Sequence, residues 1–201
     1  MFPATGGLVP PGMPGHSPNI ALPYDPENAR GLLEKAGYPQ GRGFPKLYCL
    51  APDNPLKRTI AAELTAQWSQ ILGIEITWEF AEWGSFLDLI AARTQNIWLA
   101  GYFVDYPDPN SIFQVEYSNY RHISGWQNEN YDHLVEGASR VKDQARRMDL
   151  YQQADRIVIK EAPIIPLLYG RFHMLIKPWI KHLIFSTVNP PLWKSIIIQT
   201  H

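Results

Sequence analysis

The hydrophobic residues between positions 54 and 72 recur at the spacing of an α-helix. The intervals between Ile60, Leu64, Trp68 and Ile71 are four, four and three residues. This spacing places the four side chains on one stripe of a helix, which is the pattern of a helix that packs against a core.

Capping residues mark both ends of this helix and of an earlier one. Asp25 and Asn54 each stand directly before a proline, so a side-chain oxygen precedes a residue whose backbone is already fixed for the first helical turn. Gly37 and Gly73 follow the two segments and can adopt the left-handed conformation that ends a helix. The sequence therefore predicts a helix in each segment.

Strand-like segments alternate with these helices. Residues 46–50 (KLYCL), 74–80 (IEITWEF) and 96–102 (NIWLAGY) are short and apolar, and the second alternates large apolar residues with Glu and Thr. A further helical segment occupies 82–93. The order strand, helix, strand, helix, strand with short connections predicts an α/β fold whose sheet is mixed but mostly parallel and flanked by helices.

The second half of the chain is more helical. Amphipathic helices are predicted over 130–140 and 143–162, and the apolar, proline-punctuated run 162–176 is predicted to be a strand. Residues 177–201 return to a proline-rich loop and end in SIIIQT, a strand-like segment over 195–200.

The first 23 residues contain six prolines and four glycines, so they can form neither a helix nor a central strand. Two alternatives remain for them, an ordered crossover loop and a flexible tail. They lack a basic region followed by a continuous apolar stretch, so we expect no signal peptide. No apolar run approaches the roughly 18 residues that a membrane-spanning helix needs.

Charge and motif content exclude several classes of function. The formal net charge is −1, from 18 Lys and Arg against 19 Asp and Glu, which argues against nucleic-acid binding. Cys49 is the single cysteine and lies in a predicted strand, so it is expected to be a buried thiol and not a nucleophile. The six histidines show no metal-ligand spacing, and nucleophile-elbow, Walker and dinucleotide motifs are missing. We therefore expect no enzyme activity, no metal and no cofactor.

The segment 100–110 (AGYFVDYPDPN) follows the third predicted strand, where open α/β sheets bind ligands. Asp108 precedes a proline and a short helical segment (NSIFQVEYS), and capping of that helix accounts for it. Asp105 follows an almost wholly apolar run, where a carboxylate is partly desolvated unless it is paired. A cationic ligand group could pair with Asp105, and so could Arg121 or the amides of a turn; the residues favour neither alternative.

Trp83 also follows a predicted strand, at the start of the next helix, and ordinary packing under that helix would account for it. Together with Trp98, Tyr102 and Tyr106, it could instead line a pocket for side chains or sugar rings. Both interpretations remain open at this point.

Four motifs occur in order along the chain: YDPENARGLLEKAGYPQGRGFPKL, the helix ending in ILGIEI, EWGSFLDLI and GYFVDYPDPNSIF. They continue into NYRHISGWQNENYDHL, LYQQADRIVIKEAPIIPLLY and MLIKPWI. Together they resemble the extracellular solute-binding protein family 5, the oligopeptide- and dipeptide-binding group of ABC importers. This resemblance implies a type 2 periplasmic-binding-protein fold, in which two lobes close around the ligand, and the chain is similar to the C-terminal lobe.

The resemblance also implies a division of the chain into three parts. Residues 1–23 resemble the crossover into the second lobe, 24–171 resemble the ligand-binding lobe itself, and 172–201 resemble the tail that returns to the first lobe. Because the strands of a first lobe are absent from this sequence, we expect the tail to be flexible, swapped onto another copy or folded back. Its apolar end over 195–200 makes a tail-mediated homodimer a further expectation.

Site residues follow from the resemblance as well. In peptide-binding members, the Asp of the Gly-aromatic-x-x-Asp motif pairs with the peptide's α-ammonium group, and that position is Asp105 here. The aromatic residue after the glycine is usually Trp in the family and is Tyr102 in this chain. Trp83 matches a tryptophan that lines a side-chain pocket, and Tyr106 is expected to belong to the same ligand-binding site.

The expected function is that of the substrate-binding component of an ABC importer, which binds oligopeptides or dipeptides between two lobes and delivers them to the permease. The expected partners are the solute, the permease and the missing first lobe, and the expected location is periplasmic or extracellular, at the membrane through the transporter. Two alternatives remain. One is a lobe for another cargo, such as a sugar, a metal complex or an opine-like compound, and the other is a standalone module that dimerises.

Overall fold

The computed structural model describes residues 1–114, 124–171, 173–183 and 193–199. The chain divides into two compact units, which are treated separately below. Unit 1 is Met1–Leu22 with Phe103–His201, and unit 2 is Pro23–Tyr102. No helix within the described ranges is long and apolar enough to cross a membrane.

The described strands are β1 (Phe2–Pro3), β2 (Leu47–Pro52), β3 (Ile76–Ala81), β4 (Ile97–Trp98), β5 (Leu168–Tyr169), β6 (Ile180–Lys181) and β7 (Ile197–Ile198). The helices that the structure describes in full are α1 (Pro26–Lys35), α2 (Pro55–Leu72), α3 (Trp83–Ala92), α4 (Glu129–Arg140) and α5 (Gln144–Glu161). Short 3-10 helices occupy Pro39–Gly41 and Trp193–Ser195.

Unit 2 contains a three-stranded sheet in the order β3–β2–β4, and both pairings are parallel. Strands β2 and β3 pair from Leu47 opposite Ile76 to Pro52 opposite Ala81. Helices α2 and α3 connect the three strands in sequence. This arrangement confirms the predicted α/β fold with a parallel sheet flanked by helices.

The helix ends of unit 2 lie where the capping residues predicted them. Asp25 Oδ1 accepts a hydrogen bond from the Asn28 amide at 3.0 Å. In the same way, Asn54 Oδ1 accepts one from the Lys57 amide at 2.9 Å. Gly73 ends α2 with a φ of 69°, in the left-handed region that favours glycine.

The centre of the unit 2 sheet is buried at β2. Cys49 lies there with 1% of its surface exposed, and burial raises the pKa of its thiol to about 11. A thiol with such a pKa is protonated at neutral pH and is a poor nucleophile. The expectation of a buried, unreactive cysteine is confirmed.

Three predicted strands are longer in the sequence pattern than in the structure. Among the described residues of these segments, regular pairing covers only Ile97–Trp98 of 96–102, Leu168–Tyr169 of 162–176 and Ile197–Ile198 of 195–200. In the second case, Pro163 and Pro166 carry no backbone N–H group, so an apolar run that resembles a strand cannot form a continuous ladder.

The tail pairs with itself within its described residues. Strand β7 is antiparallel to β6, with Ile198 opposite Ile180 and Ile197 opposite Lys181. The pairing joins two described parts of the tail, and which of the three expected arrangements the whole tail adopts stays a prediction. Phe172, residues 184–192 and the last two residues lie outside the described ranges.

A cluster of aromatic and aliphatic side chains forms the core of unit 1. Helices α4 and α5 pack against each other and against the helical turn 110–114 and the N-terminal segment. Tyr151 of α5 is stacked on Phe113 at 5.5 Å between ring centroids. The buried members of the cluster are Val9, Ile112, Phe113, Tyr131, Val135, Ala138, Tyr151, Ala154 and Val158.

The proline- and glycine-rich N-terminal segment is an ordered part of unit 1. Strand β1 pairs antiparallel with β5, and Val9 is fully buried in the core. The Leu8 amide donates a hydrogen bond of 2.8 Å to Asp155 Oδ1 on α5. A Cβ atom at Gly7 would lie 1.8 Å from Asp155 Oδ2, so only glycine permits this close approach. Of the two alternatives for this segment, the structure shows the ordered loop.

Asp155 is a buried carboxyl group at the centre of this contact. It is fully buried, and burial raises its pKa to about 6, against the opposing effect of the Leu8 N–H donor. The carboxyl group therefore keeps its proton up to a higher pH than an exposed aspartate does, and it ionises in the fold at about pH 6.

A second carboxylate of unit 1, Asp108, has the opposite environment. Arg147 Nη1 and Nη2 donate to Asp108 Oδ2 and Oδ1, each at 2.6 Å, in a bidentate ion pair. Asp108 Oδ1 also accepts the Asn110 amide at 2.9 Å, which confirms its predicted capping role. Burial is the largest single influence on the pKa of Asp108 and would raise it. The hydrogen bonds from Arg147, the hydrogen bond from the Asn110 amide and the positive charge of Arg147 together outweigh burial and hold the pKa below its ordinary value.

Asp155→Asn should change how stability depends on pH. Because the folded-state pKa of Asp155 lies above its ordinary value of 3.8, the wild-type protein loses stability as pH rises from about 4 through 6. The asparagine keeps an acceptor for Leu8 and carries no charge, so the variant should exceed wild type by up to about 3 kcal/mol at pH 7 and match it near pH 4. Urea unfolding across pH 4–7 measures this, with Asp149→Asn on the same helix as control. A variant that keeps the wild-type pH profile would contradict the assignment.

Arg147→Met should destabilise the fold by about 1–3 kcal/mol at pH 7, because it leaves Asp108 partly buried and without its counter-charge. The neighbouring Arg146 pairs with Asp149 on an exposed surface, so Arg146→Met should cost less than about 0.5 kcal/mol. Since the pKa of Asp108 is lowered in the folded state, the difference between Arg147→Met and wild type should shrink as pH falls below 3.8. Equal losses in the two methionine variants would contradict this account.

Candidate ligand-binding site

Two predicted site residues lie beyond the carboxyl ends of the unit 2 strands. Trp83 follows β3 and begins α3, and Tyr102 follows β4 by four residues. Because β2, β3 and β4 are parallel, their carboxyl ends meet at one edge of the sheet, which is where open α/β sheets bind ligands.

The Trp83 side chain is held on one face and open on the other. Its ring is stacked on Phe86, with centroids 5.5 Å apart, and Phe86 is buried. Even so, 53% of the Trp83 surface is exposed. The packing interpretation therefore accounts for only part of this side chain, and the remaining surface is available to a ligand.

Lys57 lies at the same edge and was missed by the sequence argument. The Asn54 cap fixes the first turn of α2, and from there Lys57 Nζ donates to the Ala100 carbonyl at 2.9 Å. Ala100 and Gly101 directly precede Tyr102. Burial lowers the pKa of Lys57, so this ammonium group is partly desolvated. The signal for it was its place three residues after the helix cap, in a helix that follows the central strand.

The other two predicted residues, Asp105 and Tyr106, belong to unit 1, whose second segment begins at Phe103. On one side of Asp105, Val104 packs against the unit 1 core. The Asp105 amide donates to Ser111 Oγ at 3.0 Å, and Ser111 is buried. The backbone at Asp105 is therefore fixed. The residue as a whole is exposed, whereas its apolar sequence neighbours suggested a partly desolvated position.

Tyr106 is fixed through its hydroxyl group. Asn110 Nδ2 donates to the Tyr106 hydroxyl oxygen at 3.0 Å, and Asn110 Oδ1 accepts from the hydroxyl of Tyr151 at 2.8 Å. Tyr106 keeps 42% of its surface exposed. Asp105 and Tyr106 are therefore a pair of exposed residues that follow one another in the chain. Hydrogen bonds hold the backbone of Asp105 and the hydroxyl group of Tyr106 to residues of unit 1.

The structure separates Asp108 from this pair, because capping and Arg147 occupy its oxygens. Trp98 is half-buried within β4. Arg121, the alternative partner of Asp105, lies outside the described residues. Of the four predicted site residues, Trp83 and Tyr102 thus belong to unit 2, and Asp105 and Tyr106 belong to unit 1.

The chain is similar to known proteins over most of its length. Residues 2–122, more than half of the chain, match the family model of bacterial extracellular solute-binding proteins, family 5 Middle. Di/tripeptide-binding protein 3 of Pseudomonas aeruginosa (strain UCBPP-PA14) is 30% identical over 185 residues, which cover 84% of this chain and 34% of that protein. The probable deoxycholate-binding periplasmic protein YgiS of Escherichia coli is 30% identical over 177 residues, covering 86% and 32%.

The fold also has solved counterparts. The murein tripeptide binding protein MppA of Escherichia coli superimposes with a TM-score of 0.78 at 25% identity, over 99% of this chain and 40% of that one. This likeness confirms the expected type 2 periplasmic-binding-protein fold. The chain spans about one third of the length of the curated relatives it matches. On the family match and these identities, the chain belongs to the bacterial extracellular solute-binding proteins of family 5.

Proposed function

We propose that the protein is the substrate-binding component of an ABC importer and that its solute is a peptide. A relative named for di- and tripeptides and a structural neighbour named for a murein tripeptide support this class of ligand. In this role the protein binds its solute and does not transform it. Its partners are the solute and a membrane permease, and it works in the periplasm or outside the cell, at the membrane through the transporter.

The observation that carries the proposal is that Asp105 is an exposed residue on a fixed backbone. Val104 and Ser111 hold the chain on either side, so the carboxylate is presented without a large loss of conformational freedom on binding. A carboxylate so placed can pair with the α-ammonium group of a peptide, and the pairing strengthens when water is excluded.

Unit 2, taken by itself, also offers side chains that can contact a solute. Trp83 and Tyr102 offer ring surfaces to ligand side chains, and Lys57 offers a cation to a carboxylate or carbonyl oxygen. All three lie on segments that follow the carboxyl ends of parallel strands.

We also propose the division of the chain given by its sequence: a crossover over 1–23, a ligand-binding lobe over 24–171 and a tail over 172–201 that returns to a first lobe. The chain spans about a third of its relatives' length, which supports a first lobe outside this sequence. Ligand contacts on both lobes would stabilise the closed arrangement through their differential affinity for it.

A second candidate is a solute without an amine. The relative named for deoxycholate is as similar to this chain as the relative named for di- and tripeptides, at 30% identity. For such a solute, the aromatic residues and Lys57 would contribute more than Asp105.

Asp105→Asn tests the ammonium contact in the protein as its source organism produces it. The variant keeps the shape of the side chain and removes its charge, so trialanine should bind about 100-fold more weakly than to wild type, by isothermal titration calorimetry. N-acetylated trialanine lacks the ammonium group and should bind both proteins equally poorly.

Asp88→Asn is the matched control, because Asp88 is exposed on α3 and the substitution changes the net charge by the same amount. It should bind trialanine like wild type. Unchanged trialanine affinity in Asp105→Asn would refute the role of Asp105. Wild-type binding of an amine-free solute in place of peptides would favour the second candidate.

Native mass spectrometry of the natural gene product should give a mass well above 23.0 kDa together with a small adduct of peptide mass. The reason is that one lobe provides only part of the contacts of a closed site. A mass near 23.0 kDa without an adduct would refute the two-lobe mechanism, and twice that mass would indicate a homodimer through the exposed Ile197 and Ile198.

A further inference from the structure

A chain of hydrogen bonds runs from the core of unit 1 to the surface at Tyr106. It begins at Tyr151, which is fully buried in α5, and its hydroxyl donates to Asn110 Oδ1 at 2.8 Å. Asn110 Nδ2 then donates to the Tyr106 hydroxyl oxygen at 3.0 Å and to Gln114 Oε1 at 2.8 Å. Every donor and acceptor in this chain belongs to unit 1.

The buried end determines which group donates and which accepts in each of these hydrogen bonds. Arg147 lies over the Tyr151 ring, with Cζ 5.2 Å from the centroid. A guanidinium group has donors and no acceptor, so it cannot take the Tyr151 proton. Burial raises the pKa of Tyr151, which keeps the hydroxyl protonated, and its proton goes to Asn110 Oδ1. The Asn110 amide is therefore held with Nδ2 towards Tyr106.

The orientation of the Asn110 amide determines how the Tyr106 hydroxyl group can bond. Because the Tyr106 oxygen accepts from Asn110, its own proton cannot be donated to that residue. Among the described residues, the hydroxyl has no acceptor for this proton. Accepting one hydrogen bond also polarises the O–H group and makes it a better donor. Tyr106 thus presents a directed donor on the residue that follows Asp105 in the chain.

We propose that Tyr151 and Asn110 are positioning residues that fix Tyr106 as a hydrogen-bond donor, and that the Tyr106 hydroxyl donates to a carbonyl or carboxylate oxygen of the bound solute. The inference rests on the proposed function. In a peptide, the first carbonyl oxygen lies on the residue that carries the α-ammonium group. Asp105 would then bind the ammonium group and Tyr106 the oxygen acceptor of the same residue. Simple amines lack that acceptor, so they would make only the first contact.

The test is a double-mutant cycle on trialanine binding, measured by calorimetry with the protein as its source organism produces it. Tyr106→Phe removes the donor and should weaken binding about 5- to 10-fold. Asn110→Asp replaces the amide donor with an acceptor, so Tyr106 turns its proton inward and affinity should fall by a similar factor. Asn110→Asp in the Tyr106→Phe background should cause no further loss, because the proton it redirects is already absent.

Two more variants separate this role from a merely structural one. Tyr151→Phe keeps the buried ring and removes only the start of the chain, so it should weaken binding about 2- to 3-fold and lose most of that effect when Tyr106 is Phe. Tyr24→Phe changes an exposed tyrosine of unit 2 and should bind like wild type. Thermal unfolding of each variant identifies any loss that comes from misfolding, and Tyr106→Phe, at an exposed ring, tests the donor even if Asn110→Asp does not fold.

Each outcome decides the inference. Equal, non-additive losses in Tyr106→Phe and Asn110→Asp support it. Wild-type affinity in Tyr106→Phe overturns it and leaves the proposed function standing, as does an Asn110→Asp loss that is unchanged in the Tyr106→Phe background. If unmutated protein binds neither trialanine nor longer peptides with a free amine, the proposed function fails and this inference fails with it.

Discussion

The bidentate ion pair between Arg147 and Asp108 is the contact on which the candidate site of unit 1 depends. Asp108 caps the helical turn 110–114 and, through Arg147, anchors that turn to α5. This turn contains Asn110, which holds the side chain of Tyr106, and Ser111, which holds the backbone of Asp105. One partly buried pair of charges, in which both carboxylate oxygens accept hydrogen bonds, therefore fixes this proline-containing surface segment.

Helix α5 organises unit 1 through a second carboxyl group of opposite character. Asp155 is buried beside Gly7 and accepts the amide of Leu8, so it holds the N-terminal segment against the core. Asp108 is stabilised as an anion by a guanidinium group, while burial favours the protonated form of Asp155. The same helix thus binds two loops by different means, and the two contacts respond to pH in opposite directions.

The sequence predicted a ligand-binding role for four residues from their position after strands and from family resemblance: Trp83, Tyr102, Asp105 and Tyr106. It did not predict Lys57, whose carbonyl partner comes from a different strand, nor the link from Tyr151 to Tyr106. Such contacts join residues 41 or more positions apart, and no local pattern specifies them. For the same reason, the sequence left open whether the N-terminal segment is ordered.

The sequence by itself determined the helices, their ends and the parallel α/β order, because caps and amphipathic stripes act between residues only three or four positions apart. It overestimated the strands at 96–102, 162–176 and 195–200, since an apolar run gives no information about whether a partner strand is present. Only the tertiary structure decided which carboxyl groups are ion-paired or buried within the fold. Asp108 and Asp155 contact partners that lie 39 and 147 positions away in the sequence. The ionisation of an aspartate depends on whether such a partner supplies a positive charge and on how deeply the carboxyl group is buried, and neither is visible in the local sequence.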